Sequence, residues 1–361
     1  MNGYKGFDKD LKCRGLQYAI GETTTYDGTL SLCNSGLHFC EHPLDTFTFY
    51  PPASSRYAAV DADGVMDGEK NAGKYVAKSL HVQAEVKILE LINAAVKFVF
   101  QKVKPSEDNS AHSATTGNSA HSATTGNSAH SATTGDYACS ATTGYYAHSA
   151  TTGYSAHSAT TGYSAHSATT GYSAHSATTG NSAHSATTGN SAHSATTGNS
   201  AHSATTGYSA HSATTGNYAH SATTGDSAHS ATTGYSAHSA TTGNSAHSAT
   251  TGDYACSATT GYYAHSATTG NSACSATTGD SAHSATTGNS ARASAMGKQS
   301  IAASLGSNGM AKGSKGGWLV LSEIGDDLKI KAVRVARVDG KKIKADTYYQ
   351  IKGGKFVEVK S

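Results

Sequence analysis

From residue 109 to residue 297, small apolar and small polar positions alternate along the chain with a fixed period of nine. The unit is Asn-Ser-Ala-His-Ser-Ala-Thr-Thr-Gly, counted as positions one to nine. There are 21 copies; twenty keep Ser-Ala-Thr-Thr-Gly, and the last decays to NSARASAMG. The flanks show other rhythms. KGFDKDLKCRGLQYAIGETTTYDGTLSLCNSGLHFC holds short β-type runs broken by glycine, with Asp27-Gly28 as a hairpin-type turn, and SRYAAVDA is a further strand. Val86, Leu89, Ile92, Val96, Val99 and Val103 recur at helical spacing until Pro105 ends the run. Beyond the repeats IAASLGSNGMAKGSKGG is still glycine-punctuated. GWLVLSEI, LKIKAVRVARV, TYYQIK and KFVEV then read as strands, with Asp339-Gly340 and Gly353-Gly354 as turns. The pattern divides the chain into a small α+β domain (1–104), a repeat region (109–297) and a small β cap (298–361).

A strict short period demands a repeat architecture. One nonapeptide is too short to close a turn around a dry centre, whereas two supply two short strands and two corners. The expected fold is mostly β: a β-solenoid of the β-roll type, two nonapeptides per coil, about ten coils stacked at roughly 4.8 Å into a rod of about 50 Å. Glycine at position nine would make the corner through its access to positive φ. Substitution within the chain sets the sides. Position two is Ser or Tyr, and position four is His, Cys or Arg, which a thin core cannot accept interchangeably. Positions two and four therefore face out, and positions three, five and seven (Ala, Ser, Thr) face in. The competing reading is disorder, which Ser/Thr/Gly-rich sequence often adopts; the strict period and the absence of Pro from the repeats oppose it.

Charge narrows the function classes. The chain carries a net +2, and between Asn109 and Ser290 the only formal charges are Asp136, Asp226, Asp253 and Asp280. That is too little positive charge to expect a nucleic-acid partner. No apolar stretch reaches membrane-spanning length and MNGYKGFDKD lacks a signal-type apolar run, so neither membrane nor secretion is expected. Six cysteines, unevenly spaced, do not form a disulfide framework. A reducing compartment is the expectation from this cysteine usage.

Position four carries the chemistry. Seventeen copies hold His there. At an 18-residue coil these form two outward ladders, one on each face, with rings about 5 Å apart along each, and with His121, His184, His193 and His202 as surface rungs. Like charges so close depress one another's pKa. Stacked imidazoles could share a soft metal ion, with His112, His130, Cys256 and Cys274 as candidate ligands; Cys256 and Cys274 would be direct neighbours. The alternative is that duplication merely copied whatever the parent unit held. An ice-binding face is not expected, because the threonines are adjacent and one of each pair points inward. No cofactor is expected.

In the N-terminal segment Cys13, Cys33, Cys40, His38 and His42 could gather zinc, although CNSGLHFCEH matches no common knuckle. GLHFC with Tyr50 and SRYAAV is similar to the central strands of ADP-ribosyltransferases. That resemblance implies Arg14 as a nucleotide contact and Glu85 or Glu90 as a catalytic carboxylate, without a full arginine-serine-glutamate set.

YKGFDKDLKCRGLQYAIGETTTYDG, CNSGLHFCEHPLDTFTFYPP and AKGSKGGWLVLSE...VDGKKIKADTYYQI together resemble a family of phage and prophage-associated proteins with Ser/Ala/Thr/Gly nonapeptides in the middle. SIAASLGSNGMAKG is also similar to the head β-rolls of trimeric autotransporter adhesins. The first resemblance implies a phage-related origin without an activity, and with it the host cytoplasm or a phage particle as the location; the second implies β-roll geometry. The expected function is a non-enzymatic structural or binding protein whose solenoid serves as spacer or extended interaction surface, with a protein partner or self-association. The alternatives are an effector or enzyme carried by the N-terminal domain, and a self-associating fibre.

Overall fold

The computed structural model describes residues 1–32, 34–52, 54–65, 73–102 and 110–359. They fall into two units, residues 1–197 and 198–361.

The first unit opens with a six-stranded sheet. Its order is Thr23–Thr25, Ser79–Glu85, Arg56–Asp63, Asn2–Phe7, Leu37–Cys40, Lys74–Ala77, antiparallel throughout. Alternation puts Phe7, Leu37, Phe39, Val60, Leu80 and Val82 into one core with Tyr18. Asp27-Gly28 is not a hairpin turn, because Thr23–Thr25 pairs with the distant strand Ser79–Glu85. The helix runs Ile88–Lys102, starting two residues after the Val86 that opens the expected spacing. Its buried arc is Leu91, Ile92, Ala95 and Val99, while Leu89 is exposed. Packing against repeat strands as well as its own domain turns the helix away from the expected stripe. Val103 and Pro105 lie outside the described residues.

In both units the nonapeptides wind as a β-solenoid, about 12 turns between residues 112 and 321. Each strand pairs in parallel with the strand 18 residues on, Ala165 with Ala183 and His166 with His184, so two copies make a coil. Positions three, five and seven face in: Ala183, Ser185 and Thr187 are buried. The inward serines donate to one another across the core, Ser122 to Ser113 through to Ser194 to Ser185 in the first unit, at 2.7–2.9 Å. The second unit repeats this from Ser212 to Ser203 through to Ser284 to Ser275. Gly117, Gly252, Gly270, Gly279 and Gly288 have the positive φ expected at the corner, whereas at other corners, Gly162 among them, the reason is different. A Cβ on Gly162 would lie 2.0 Å from the carbonyl oxygen of Gly144 one coil below, so close stacking, not positive φ, excludes a side chain there.

In the second unit the winding does not stop at Gly297. Ile301–Ser304 pairs with His283–Thr287 and Trp318–Ile324 pairs with Ile301–Ser304, both in parallel. Small residues still occupy the inward positions, since Ala302 and Ser304 are fully buried. Antiparallel strands follow: Ile330–Arg337 on Trp318–Ile324, and Lys355–Glu358 on Tyr349–Lys352. Gly353 and Gly354 both have positive φ, 58° and 72°, as a type I′ hairpin requires. Asp339-Gly340 joins strands of different sheets, and Asp339 instead accepts from the N–H groups of Lys341 and Ile343.

The two strands of a coil have unlike surroundings in the first unit. On the sheet bearing His166, the outward Ala168 and Thr170 are exposed. On the sheet bearing His157, the helix and the segment around residues 42–49 cover the outward face, and His157, His175 and His193 are buried. His193 is therefore not a surface rung: it points out of the coil, but into the N-terminal domain.

Candidate functional site

Five short segments of the N-terminal domain enclose a cavity of about 380 Å³. Tyr4, Lys5 and Gly6 come from the central strand Asn2–Phe7, and His38, Phe39 and Cys40 from its neighbour. Thr46, Thr48 and Phe49 come from the short helix Thr46–Phe49, with Tyr50 just after it. Lys74 comes from the edge strand, and Cys13 and Arg14 from a small hairpin. Cys13 pairs with Leu16, which leaves Arg14 and Gly15 as a two-residue loop with φ of 50° and 81°. A positive φ is costly for arginine, and here it holds the residue at the tip of a tight turn beside the cavity. Gly6 admits Tyr50, whose ring atoms lie 2.6 Å from where a Cβ would stand.

The electrostatics of the cavity are one-sided. Among the described residues its lining holds Lys5, Arg14, Lys74 and His38, and no carboxylate. Lys5 is 3% exposed. Its Nζ donates to the carbonyl of His38 at 2.6 Å and sits 3.4 Å from Cys13 Sγ. The rings of Phe7 and Tyr18 lie 5.6 and 5.1 Å from it, within cation–π range. Burial lowers the Lys5 pKa, only partly opposed by Cys13. Burial, then Lys74, Lys5 and Arg14, push His38 down to about 4, so it is neutral at pH 7. Burial raises the Cys40 thiol well above its ordinary value. A cavity with fixed positive charge and donor groups suits a small anion that brings its own negative charge.

Of the residues singled out in the sequence, Arg14 lines this cavity. Glu85 does not, because it forms a two-pronged pair with Arg56 at 2.6 and 2.7 Å. Glu90 accepts from the N–H of Lys87 at the start of the helix. Cys13, Cys40 and His38 line the cavity but do not converge as a metal group with a further donor among the described residues. Cys33 lies outside the described residues. Lys5 and Lys74 were missed. The available signal was Lys5 in the inward register of Gly3 and Phe7, a charge where alternation calls for a core residue.

The ladders exist. His112 and His130 stack at 4.8 Å and 17°, and Cys256 pairs in register with Cys274. Parallel rings aim their nitrogens alongside one another, and neither pair belongs to a convergent group of three ligands among the described residues. Burial raises the Cys256 thiol to about 11, with Cys274 adding to it. His184 and His202 are half-buried in stacks with His166 and His220 at 4.7 and 4.9 Å. Burial lowers the pKa of His130, His166 and His220, and their neighbours add to the effect. His121 lies on the sheet that the N-terminal domain covers.

No helix among the described residues is long and apolar enough to cross a membrane. No curated protein and no solved structure matches the chain. Residues 1–94 match the model of a domain of unknown function, DUF7666, so every residue that lines the cavity lies in the part of the chain that is similar to that family.

Proposed function

We propose that the N-terminal domain is a binding head for a small anion, phosphate- or carboxylate-bearing, and that the solenoid is a non-enzymatic mount and spacer for it. The observation that carries this is the convergence of Lys5, Arg14 and Lys74 on one cavity. The setting proposed is a phage or prophage, on the resemblance of the terminal segments. Calorimetric titration of the full chain with inorganic phosphate, pyrophosphate, ADP and succinate tests the reading. At least one probe binds, more weakly at high salt, and Arg14→Ala or Lys74→Ala lowers its affinity by about tenfold, the worth of one charge-assisted hydrogen bond. No binding by any probe, or binding untouched by both variants, would sink it. Consumption of a nicotinamide dinucleotide that Arg14→Ala abolishes would favour the enzyme alternative instead.

A second reading, association through the C-terminal strands, has its own observation. Trp318, Val333 and Val335 are 44, 48 and 58% exposed on adjacent antiparallel strands, beside Leu328 at 81% and Ile330 at 67%. Edge strands with apolar faces invite pairing with a second chain. Sedimentation velocity of Val333→Lys/Val335→Lys against the parent measures it: an unchanged monomer in both disposes of self-association by this route.

A further inference from the structure

We infer that His42, Asp45 and His157 form a binding site for a divalent transition ion of the zinc class, with a fourth position open to an adjoining cavity. The first two residues belong to the N-terminal domain and the third to a repeat strand, all within the first unit. His157 Nε2 lies 2.9 Å from Asp45 Oδ1, and His42 Nδ1 lies 3.9 Å from the same oxygen. All three donor atoms fall within 4.8 Å of one another. Ligand atoms about 2.0–2.1 Å from a tetrahedral ion are roughly 3.3–3.5 Å apart, so small rotations close the set. Two imidazoles and a carboxylate are the donors of open three-ligand zinc centres.

Rigidity and burial favour the same conclusion. His157 is held on its strand and stacked on His175 at 4.8 Å and 7°. The His42 ring meets Phe98 edge-on at 5.1 Å. His42 Nδ1 otherwise accepts only a long bond, 3.3 Å, from the N–H of Leu44. His157 Nδ1 is buried with no hydrogen-bond partner, so either neutral tautomer leaves one polar atom unmet beside Asp45. The adjoining cavity, about 490 Å³, is also lined by Glu41, His121 and Cys139. Cys139 stands in register between His121 and His157, where most copies carry His. The open position thus faces further donors and room for water or a small ligand.

Cobalt(II) titration of the full chain separates this centre from the many histidines of the ladders, since only a four-coordinate ion gives an intense visible band. One equivalent of four-coordinate cobalt, displaced by zinc, is expected. The band is lost in Asp45→Asn and His157→Gln and kept in His184→Gln, a rung on the open sheet. His157→Cys, in a Cys256→Ala/Cys274→Ala background, keeps four-coordination and adds a sulfur charge-transfer band. Absence of the band in the parent chain, its survival in both Asp45→Asn and His157→Gln, or failure of His157→Cys to show the sulfur band would each overturn the assignment. The cysteine variant also decides the matter should either of the other two fail to fold.

Discussion

Serine and threonine share the inside of the coil on unequal terms. Ser167 donates to Ser158 at 2.7 Å and accepts from Ser176 at 2.8 Å, so its hydroxyl is a link in a continuous chain. Thr169 is equally buried, yet its Oγ1 has no partner. Removing a linked hydroxyl strands its neighbour, at about 1–3 kcal/mol, whereas replacing an unpaired one by a methyl is neutral or favourable. Chemical denaturation should therefore show Ser167→Ala destabilised and Thr169→Val equal to or above the parent; the reverse order would mean the threonine is the hydrogen-bonded group. Position four makes the complementary point. His184→Glu should cost about 0.5 kcal/mol or less at a half-open rung. Ala183→Glu and His175→Glu each bury a carboxylate, which costs several kcal/mol. Thermal melts of the three test this, and a mild effect of His175→Glu would mean that Phe47 and Thr48 do not seal that rung.

Strands and corners obey an 18-residue rule that a single copy does not contain. Successive copies alternate between two sheets, so a copy keeps its sheet only if an even number of copies is removed before it. Within the second unit, deleting residues 208–225 removes a whole coil and leaves every later strand on its own sheet. Deleting residues 208–216 transposes the sheets for all that follows and misdirects the Trp318–Ile324 and Tyr349–Lys352 strands. The one-copy deletion should melt well below the two-copy deletion, with near-parental circular dichroism only in the latter. Equal melting temperatures would contradict the coil. The Ile88–Lys102 helix shows the opposite dependence: its buried arc reflects the surface beneath it, Ala159, Ala177 and Ala195 among the residues packed there, more than its own spacing.

Acid should destabilise the molecule through histidines held neutral in both units. His38 sits at about 4, by burial and then nearby cations, and His211 at about 4, by burial and then His229. The unfolded chain takes up these protons near pH 6.5. Below that pH it binds more protons than the folded chain, so stability falls as pH drops from about 6.5 toward about 4 and is fully present above. Melting temperature followed from pH 7.5 to about 4 should decline most steeply in that window, and a His38→Gln/His211→Gln pair should flatten the decline. A flat parental profile would show that the folded chain carries these protons as readily as the unfolded one.

Coil length, the inward set of Ala, Ser and Thr, and the outward place of position four were legible in the letters alone. Alternation along a strand is a local steric rule, and Tyr or Cys standing in for Ser or His marks the side away from the coil's thin core. The corner glycine was legible as a residue and, at Gly252 or Gly270, in its positive φ, but not at Gly162, where the clash with Gly144 comes from the neighbouring coil. Burial of His157, His175 and His193 was not legible at all. Their copies read the same as those of His166 and His184, and identical sequence cannot tell an open sheet from a covered one. That difference enters only when the N-terminal domain lays a helix on one of two chemically equal faces. The same long-range packing brings His42 and Asp45 onto His157, and Cys13, Lys5 and Lys74 around one cavity, from segments too far apart in the chain for any motif to join.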